Sequence, residues 1–111
     1  MDDTTRADRY ASQARMLAAA ATLTERGYRA GLRPLNWRVD PAPPLIGRVS
    51  GYDLTAEEVR ATLTGWAELV GATVTTTPTV RDGAVRLRAE GTAAHQGVTV
   101  PVALIAYIPE D

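Results

Sequence analysis

Few side chains of this 111-residue chain are of the kinds that perform catalysis or bind metal. The chain has no cysteine and a single histidine, His95, with no second histidine or pair of acids at ligand spacing from it. Ser12 and Ser50 stand in no nucleophile motif, and the chain has no glycine-rich phosphate loop. Glu57 and Glu58 are adjacent on a predicted helix and so point about 100° apart, a poor arrangement for acid–base catalysis. The sequence therefore predicts no enzyme, no cofactor and no metal site.

Arginines suggest a different chemistry, the binding of phosphates. All twelve basic residues are arginines, and Tyr28 and Trp37 lie within their densest segment. Arginines near aromatic rings can contact phosphates and stack on bases. The formal net charge of −1 argues against a generally basic nucleic-acid binder, and an exposed arginine surface around a core tryptophan explains the same pattern. The candidate nucleic-acid contact consists of Arg26, Arg29, Arg33, Arg38 and Arg48.

Length and hydropathy predict one domain, residues 1–111, large enough to bury a core without disulfides. No apolar run approaches the roughly 18 residues that a membrane helix needs. The acidic start MDDTTRADR is the reverse of the basic first segment of a signal peptide. We therefore expect a cytoplasmic protein with no membrane segment.

An amphipathic helix over residues 54–71 is expected to organise the rest of the chain. Thr55 and Glu58 stand at capping-box spacing, which predicts the helix start. Gly71 is placed to end the helix in the left-handed conformation. Steps of four, three and four residues place four large side chains on one stripe, namely Val59, Leu63, Trp66 and Val70.

A first helix is predicted over residues 5–26, starting at Thr5 and stopping near Gly27. Its main apolar face consists of Tyr10, Ala14, Leu17 and Ala21, widened in the second half by Met16, Ala20 and Leu23. This alanine-rich stripe buries little area. Two interpretations remain open, packing of the helix on its own domain and packing on another chain.

Two hairpins and a last strand complete the predicted elements. Residues 35–39 and 45–51 form the first hairpin across the proline-rich segment DPAPP. Residues 72–80 and 84–91 flank Asp82-Gly83, a strong turn signal that pairs Val80 with Val85 and Val74 with Gly91. This register puts threonines and arginines on the other face of the second hairpin, where they could hold an anion or form an ordinary exposed sheet.

The last strand, residues 98–108, is apolar on both faces and follows a loop at residues 94–97. Such strands are typically central in a sheet or covered on both sides. Either the first helix covers the face that carries Ile105 and Tyr107, or these residues belong to a subunit or partner interface. The candidate protein interface lies on this face or on the first helix, and its candidate residues are Pro101, Ile105, Tyr107, Tyr10 and Leu17.

Together these elements predict an α+β fold. An N-terminal helix and turn (residues 1–31) precede a β-β-α-β-β-β core (residues 32–111). The amphipathic helix packs on an antiparallel sheet of about five strands that ends in a three-strand meander. The predicted core is Leu54, Val59, Leu63, Trp66, Val70, Trp37, Val49, Val85, Leu87, Val100, Val102 and Leu104.

The order of several features carries a resemblance to known proteins. The features are a tryptophan strand (Leu35, Trp37, Val39), a Leu-x-Gly-x-Val strand (Leu45, Gly47, Val49), a helix with Arg60, Trp66 and a terminal LVGA, and the strand VTVPVAL. Over residues 32–108 they resemble small uncharacterised proteins of actinobacterial genomes, phages and mobile elements. The resemblance implies a small α+β fold and an accessory or host-interaction role, in the host cytoplasm if a phage encodes the chain. It implies no catalytic residue.

These observations predict a non-catalytic protein-interaction module, with a protein partner or a homo-oligomer such as a dimer, that contacts neither membrane nor metal. The alternative is a nucleic-acid-binding accessory protein that uses the segment Arg26–Arg48. A second alternative is a small-molecule-binding domain with a pocket between helix and sheet.

Overall fold

The computed structural model describes residues 3–51, 53–78 and 85–108 and has the predicted α+β fold. Two helices and five strands follow one another in the predicted order. They are α1 (Asp3–Arg29), β1 (Asn36–Arg38), β2 (Leu45–Arg48), α2 (Ala56–Leu69), β3 (Val74–Pro78), β4 (Val85–His95) and β5 (Val98–Ile108).

The five strands form one mixed sheet in the order β1-β2-β5-β4-β3. The hairpin of β1 and β2 and the meander of β3, β4 and β5 are antiparallel, as predicted. The expectation of an antiparallel sheet is wrong for one pair, because β2 and β5 run parallel. The strand that is apolar on both faces, β5, lies at the centre of the sheet, and this confirms the prediction made for such a strand.

Both helices cover the same face of the sheet, which we call the helical face. Met16 and Leu23 of α1 and Leu63 and Trp66 of α2 share one buried cluster with inward side chains of β2, β4 and β5. The Thr22 hydroxyl of α1 also lies 2.7 Å from Nδ1 of His95, at the end of β4. The interpretation that α1 covers Ile105 and Tyr107 is therefore wrong. We call the opposite, helix-free side the open face.

The buried side of α1 differs from the predicted one. Tyr10, Ala14, Leu17 and Ala21 are all exposed, so the predicted main face is wrong. The side that packs on the sheet contains the residues predicted to widen that face, and it consists of Met16, Ala19, Ala20, Leu23 and Gly27. Because α1 is rich in alanine, its sides differ little in hydrophobicity and side-chain size. The shape of the sheet surface beneath the helix therefore decides which side is buried.

The end of α1 also lies beyond the predicted stop at Gly27. Gly27 is a buried helical residue because the ring of Trp66 packs where a β-carbon would be. The helix runs to Arg29, and Gly31 after its last turn has a left-handed φ of +74°. The N–H groups of Gly31 and Leu32 bond to the carbonyls of Tyr28 and Gly27, the pattern of a Schellman cap.

The second helix agrees with its prediction at both ends. The Thr55 hydroxyl accepts from the Glu58 N–H at 3.1 Å, and the Glu58 carboxylate accepts from the Thr55 N–H at 3.0 Å. These two bonds complete the capping box. Gly71, with a φ of +67°, follows the last turn, and the N–H of Ala72 bonds to the Ala67 carbonyl at 2.8 Å.

The register of β3 and β4 is shifted by two residues from the prediction. Val74 pairs with Ala89 and Pro78 with Val85, whereas a turn centred on Asp82-Gly83 requires Val74 opposite Gly91. Val80 and this turn lie outside the described residues. A shift of two keeps every side chain on its face, so the alternation of apolar residues does not distinguish the two registers.

The predicted core is largely confirmed. Nine of its twelve residues are buried, and Leu54, Trp37 and Val85 are partly buried against the same cluster. The prediction omitted the contribution of α1 and several strand residues, among them Met16, Leu23, Leu45, Ala106 and Ile108. Trp66 is central, because it is 1% exposed and its ring meets Trp37 edge-on with centroids 5.7 Å apart.

Candidate functional site

The predicted interface residues lie on two separate surfaces. Tyr10 and Leu17 are 64% and 55% exposed on α1, which packs on the helical face. Pro101, Ile105 and Tyr107 alternate with the buried residues of β5 and so lie on the open face. The two places that the sequence suggested for an interface, the Ile105/Tyr107 face and the first helix, are therefore two separate candidate sites.

The first candidate site is a line of exposed residues along α1, which we call the α1 stripe. Its members recur at alternating steps of three and four residues, the spacing of a coiled-coil seam. All are exposed, and Tyr28 is the most exposed at 84%. The α1 stripe consists of Ala7, Tyr10, Ala14, Leu17, Ala21, Thr24 and Tyr28.

The first part of α1 has little cover from its own domain. Every residue from 3 to 11 is exposed, and Ser12 and Gln13 are half-buried. Tyr10 borders an open groove with Gln13 and Pro41, and the Arg6 guanidinium lies 5.6 Å from the centre of its ring. Because a short helix without packing is marginal in water, this part of α1 is the segment that gains most from a partner.

The second candidate site is the open face, whose side chains form rows across the strands. Ile105 at the centre is in register with Arg48 on β2 and Arg88 on β4, and these pair with Asn36 on β1 and Thr75 on β3. The next row contains Tyr107, Arg86 and Thr77. A third row contains Arg38, Ile46, Ala103 and Glu90.

Arginines surround a small apolar centre on the open face. The guanidinium of Arg48 lies 5.3 Å from the centre of the Tyr107 ring, within the range of a cation–π contact. Arg88 pairs with Glu90 at 2.8 Å, and Arg38 pairs with Asp40 at 3.0 Å. Glu90 belongs to the third row and Asp40 follows β1, so both acids stand away from Tyr107.

The proline-rich connection borders the other end of the open face. Pro43 and Pro44 line an open cavity of about 550 Å³ with Pro101 and Ala103. Ala103 is 2% exposed although it belongs to this face. Pro101 itself is exposed and stands away from the arginines around Tyr107.

The five arginines predicted to contact nucleic acid do not share one surface. Arg26 donates to the Leu69 carbonyl of α2 at 3.4 Å, and Arg29 pairs with Glu25 on the same helix. Arg33 pairs with Glu58 of α2 at 2.8 Å. Only Arg38 and Arg48 lie on the open face.

The open face gains two arginines that the sequence analysis left out of the candidate set, Arg86 and Arg88. Their alternation with Leu87 predicted that they share the outward face of the second hairpin. No local signal places them beside Tyr107, because the pairing of β4 with β5 brings these rows together.

The contacts of His95 are those of a residue that holds two elements of the fold together. His95 is half-buried beside the Thr22 hydroxyl, which ties the β4–β5 hairpin to α1. Among residues 3–51, 53–78 and 85–108 no group of three or more histidines and acids could hold a metal ion. None of the described helices is long and apolar enough to cross a membrane.

One carboxyl group has a perturbed pKa. The backbone N–H of Thr55 and then its side chain lower the pKa of Glu58 below its ordinary value, and Arg33 adds a smaller effect in the same direction. The capping box explains this shift. It is therefore a property of the start of α2 and not a sign of catalysis.

Two pockets lie between the helices and the sheet. One encloses about 380 Å³ beside Leu54 and Val59, and the other encloses about 240 Å³ beside Tyr28 and Trp66. Pockets for small molecules typically enclose about 300–1,000 Å³. Of these two, only the pocket beside Leu54 and Val59 is large enough for the small-molecule-binding domain that the sequence offered as an alternative.

Comparisons with protein-family models, with curated proteins and with solved structures found no match to this chain.

Proposed function

We propose that this chain is a non-catalytic protein-interaction module that self-associates through the α1 stripe. The observation that carries the proposal is the exposed line of residues from Ala7 to Tyr28 on a helix whose first part lacks cover. Its alternating steps of three and four residues match a helix that packs along another helix.

A second copy of the chain fits the α1 stripe in an antiparallel arrangement. With the two-fold axis between Arg15 and Met16, Leu17 faces Ala14 of the other copy and Tyr10 faces its Ala21. Both of these large side chains then meet an alanine, and the same patch is used by both copies, as in a two-fold dimer. In this arrangement the exposed first part of α1 in each copy packs along the second part of α1 in the other copy, so both parts become more buried.

The size of the α1 stripe predicts a weak dimer. A buried aromatic residue covers about 150–250 Å², so the exposed parts of Tyr10, Tyr28 and Leu17 with the smaller residues sum to on the order of 500 Å² per protomer. Stable interfaces bury about 800 Å² per partner. We therefore expect a dimer whose population depends on protein concentration.

Sedimentation equilibrium over a range of concentrations tests the proposal with two matched variants. Ala14→Arg places a charge at the centre of the α1 stripe, and Ala61→Arg makes the same change on the exposed side of α2. We expect dimers of the wild type and of Ala61→Arg, and monomers of Ala14→Arg. Circular dichroism checks that both variants stay folded.

A wild-type protein that stays monomeric at its highest soluble concentration would contradict self-association. Dimerisation of Ala14→Arg with wild-type affinity would place the interface elsewhere. We further propose an accessory role for such a module, which is the role that the order of features over residues 32–108 implies.

A further inference from the structure

The open face concentrates positive charge on a chain with a formal net charge of −1. Four arginines from three strands lie on it, against Glu90 and the nearby Asp40. This balance makes the open face complementary to an anion, although the chain as a whole is slightly acidic. The open face is separate from the α1 stripe, so a function here does not depend on the dimer.

The charge is least compensated around Tyr107. Arg48 and Arg86 approach this residue from the two strands that flank β5. Within the described part of the chain neither arginine has an ion pair with an acid, and Arg48 contacts the Tyr107 ring instead. Tyr107 is 41% exposed, so its ring and the guanidinium remain open to a ligand.

The apolar part of the open face is too small to be the main source of affinity for a folded protein. Ile46 and Ile105 are half-buried between neighbouring strands, and Tyr107 is the only aromatic side chain among the rows described above. Protein interfaces derive most of their energy from a well-packed apolar centre. A ligand of this face must instead use charge and stacking.

Single-stranded nucleic acid obtains its affinity from these two sources. Its phosphates bind arginines, and its unpaired bases stack on aromatic rings and guanidinium planes. An uncovered sheet offers such bases a broad surface. We propose that the open face binds single-stranded nucleic acid, with one base stacked on the Arg48–Tyr107 pair and an adjacent phosphate held by Arg86.

Fluorescence anisotropy with labelled, mixed-sequence single-stranded RNA and DNA of about 10 nucleotides tests this proposal. Arg86→Gln removes a proposed phosphate contact, and Arg29→Gln removes an exposed arginine of α1 that pairs with Glu25. We expect Arg86→Gln to weaken binding and to reduce the salt slope of log affinity by about 0.7. Arg29→Gln should leave both unchanged.

A stacking variant separates the aromatic contribution from the charge. Tyr107→Leu keeps an apolar side chain but removes the ring, so we expect an affinity loss of roughly five- to 100-fold with an unchanged salt slope. Circular dichroism of each variant checks that the fold is intact.

Four results with nucleic acid alone would overturn the proposal. They are no binding of either oligonucleotide at low salt, equal losses in Arg86→Gln and Arg29→Gln, unchanged affinity in Tyr107→Leu, and equally tight binding of the matching duplex. Displacement of the oligonucleotide by polyglutamate at equal charge concentration would also overturn it, because that result assigns the open face to an acidic protein. None of these results bears on dimerisation through the α1 stripe.

Discussion

Gly27 of α1 and Trp66 of α2 are in close contact where the two helices meet. The substitution Gly27→Ala, which adds one methyl group, tests this contact. A β-carbon at Gly27 would collide with the Cη2 and Cζ2 atoms of the Trp66 ring. The ring cannot move aside easily, because Trp66 is buried and its Nε1–H donates to the Arg33 carbonyl at 2.8 Å. Gly27→Ala should therefore force the helices apart or distort the ring.

The expected cost follows from two opposing effects. Overpacking of a core by one methyl group costs about 1–3 kcal/mol. Replacing glycine by alanine inside a helix favours folding by up to about 1 kcal/mol, and by less at Gly27 because it lies near the end of α1. With a gain of about 0.5 kcal/mol at this position, the net loss of unfolding free energy in Gly27→Ala is about 0.5–2.5 kcal/mol, or roughly 2–20 °C in melting temperature.

Gly65 provides a matched control on α2. A β-carbon there would approach Cδ2 of Leu32 at 2.5 Å, but this is the end of a flexible, partly buried side chain that can rotate. The higher helix propensity of alanine should then outweigh the cost of moving Leu32. We therefore expect Gly65→Ala to be as stable as the wild type or more stable by up to about 1 kcal/mol. The same substitution thus has opposite expected signs at the two helix glycines.

Urea denaturation followed by circular dichroism measures both variants, with the m-value as a check on two-state behaviour. A double-mutant cycle adds Trp66→Phe, because phenylalanine lacks the ring atoms that the new β-carbon would meet. We expect Gly27→Ala to cost less in that background. A Gly27→Ala protein as stable as Gly65→Ala, or an unchanged cost beside Trp66→Phe, would refute the packing argument.

Two further predictions concern α2. Trp66→Ala should lower the unfolding free energy by about 3–5 kcal/mol, because it removes the ring between α1 and the sheet; an unchanged melting temperature would contradict its central role. The lowered pKa of Glu58 in the folded state stabilises the fold above the ordinary glutamate pKa, and this contribution is lost as the pH falls through the folded value. Glu58→Gln should therefore lose less stability than the wild type on acidification, and parallel acid-unfolding curves would show that this carboxylate has no such role.

The sequence determined the features that depend on neighbouring residues. The capping box of α2, its stop at Gly71 and the alternation along β2, β4 and β5 were all predicted, because each is a local pattern of a few residues. The central place of β5 followed from its two apolar faces. Tyr10 and Leu17 were predicted as candidate interface residues on the first helix, and both are exposed.

Tertiary structure decided those features for which the local sequence pattern fits two arrangements equally well. Either side of the alanine-rich α1 could have been buried, and the exposed Tyr10 and Leu17 follow from the fit of Met16 and Leu23 to the sheet. The register of β3 on β4 was ambiguous by two residues, because that shift leaves every side chain on its face.

The open face is the clearest case of a candidate site made by long-range pairing. Arg48, Arg86 and Tyr107 are distant in the chain and meet because β5 inserts between β2 and β4. No short segment contains this arrangement, and the segment richest in arginine, residues 26–48, contributes only Arg48 to it. Alternation along a strand sets which face a side chain occupies, whereas only the order and register of the strands set its neighbours.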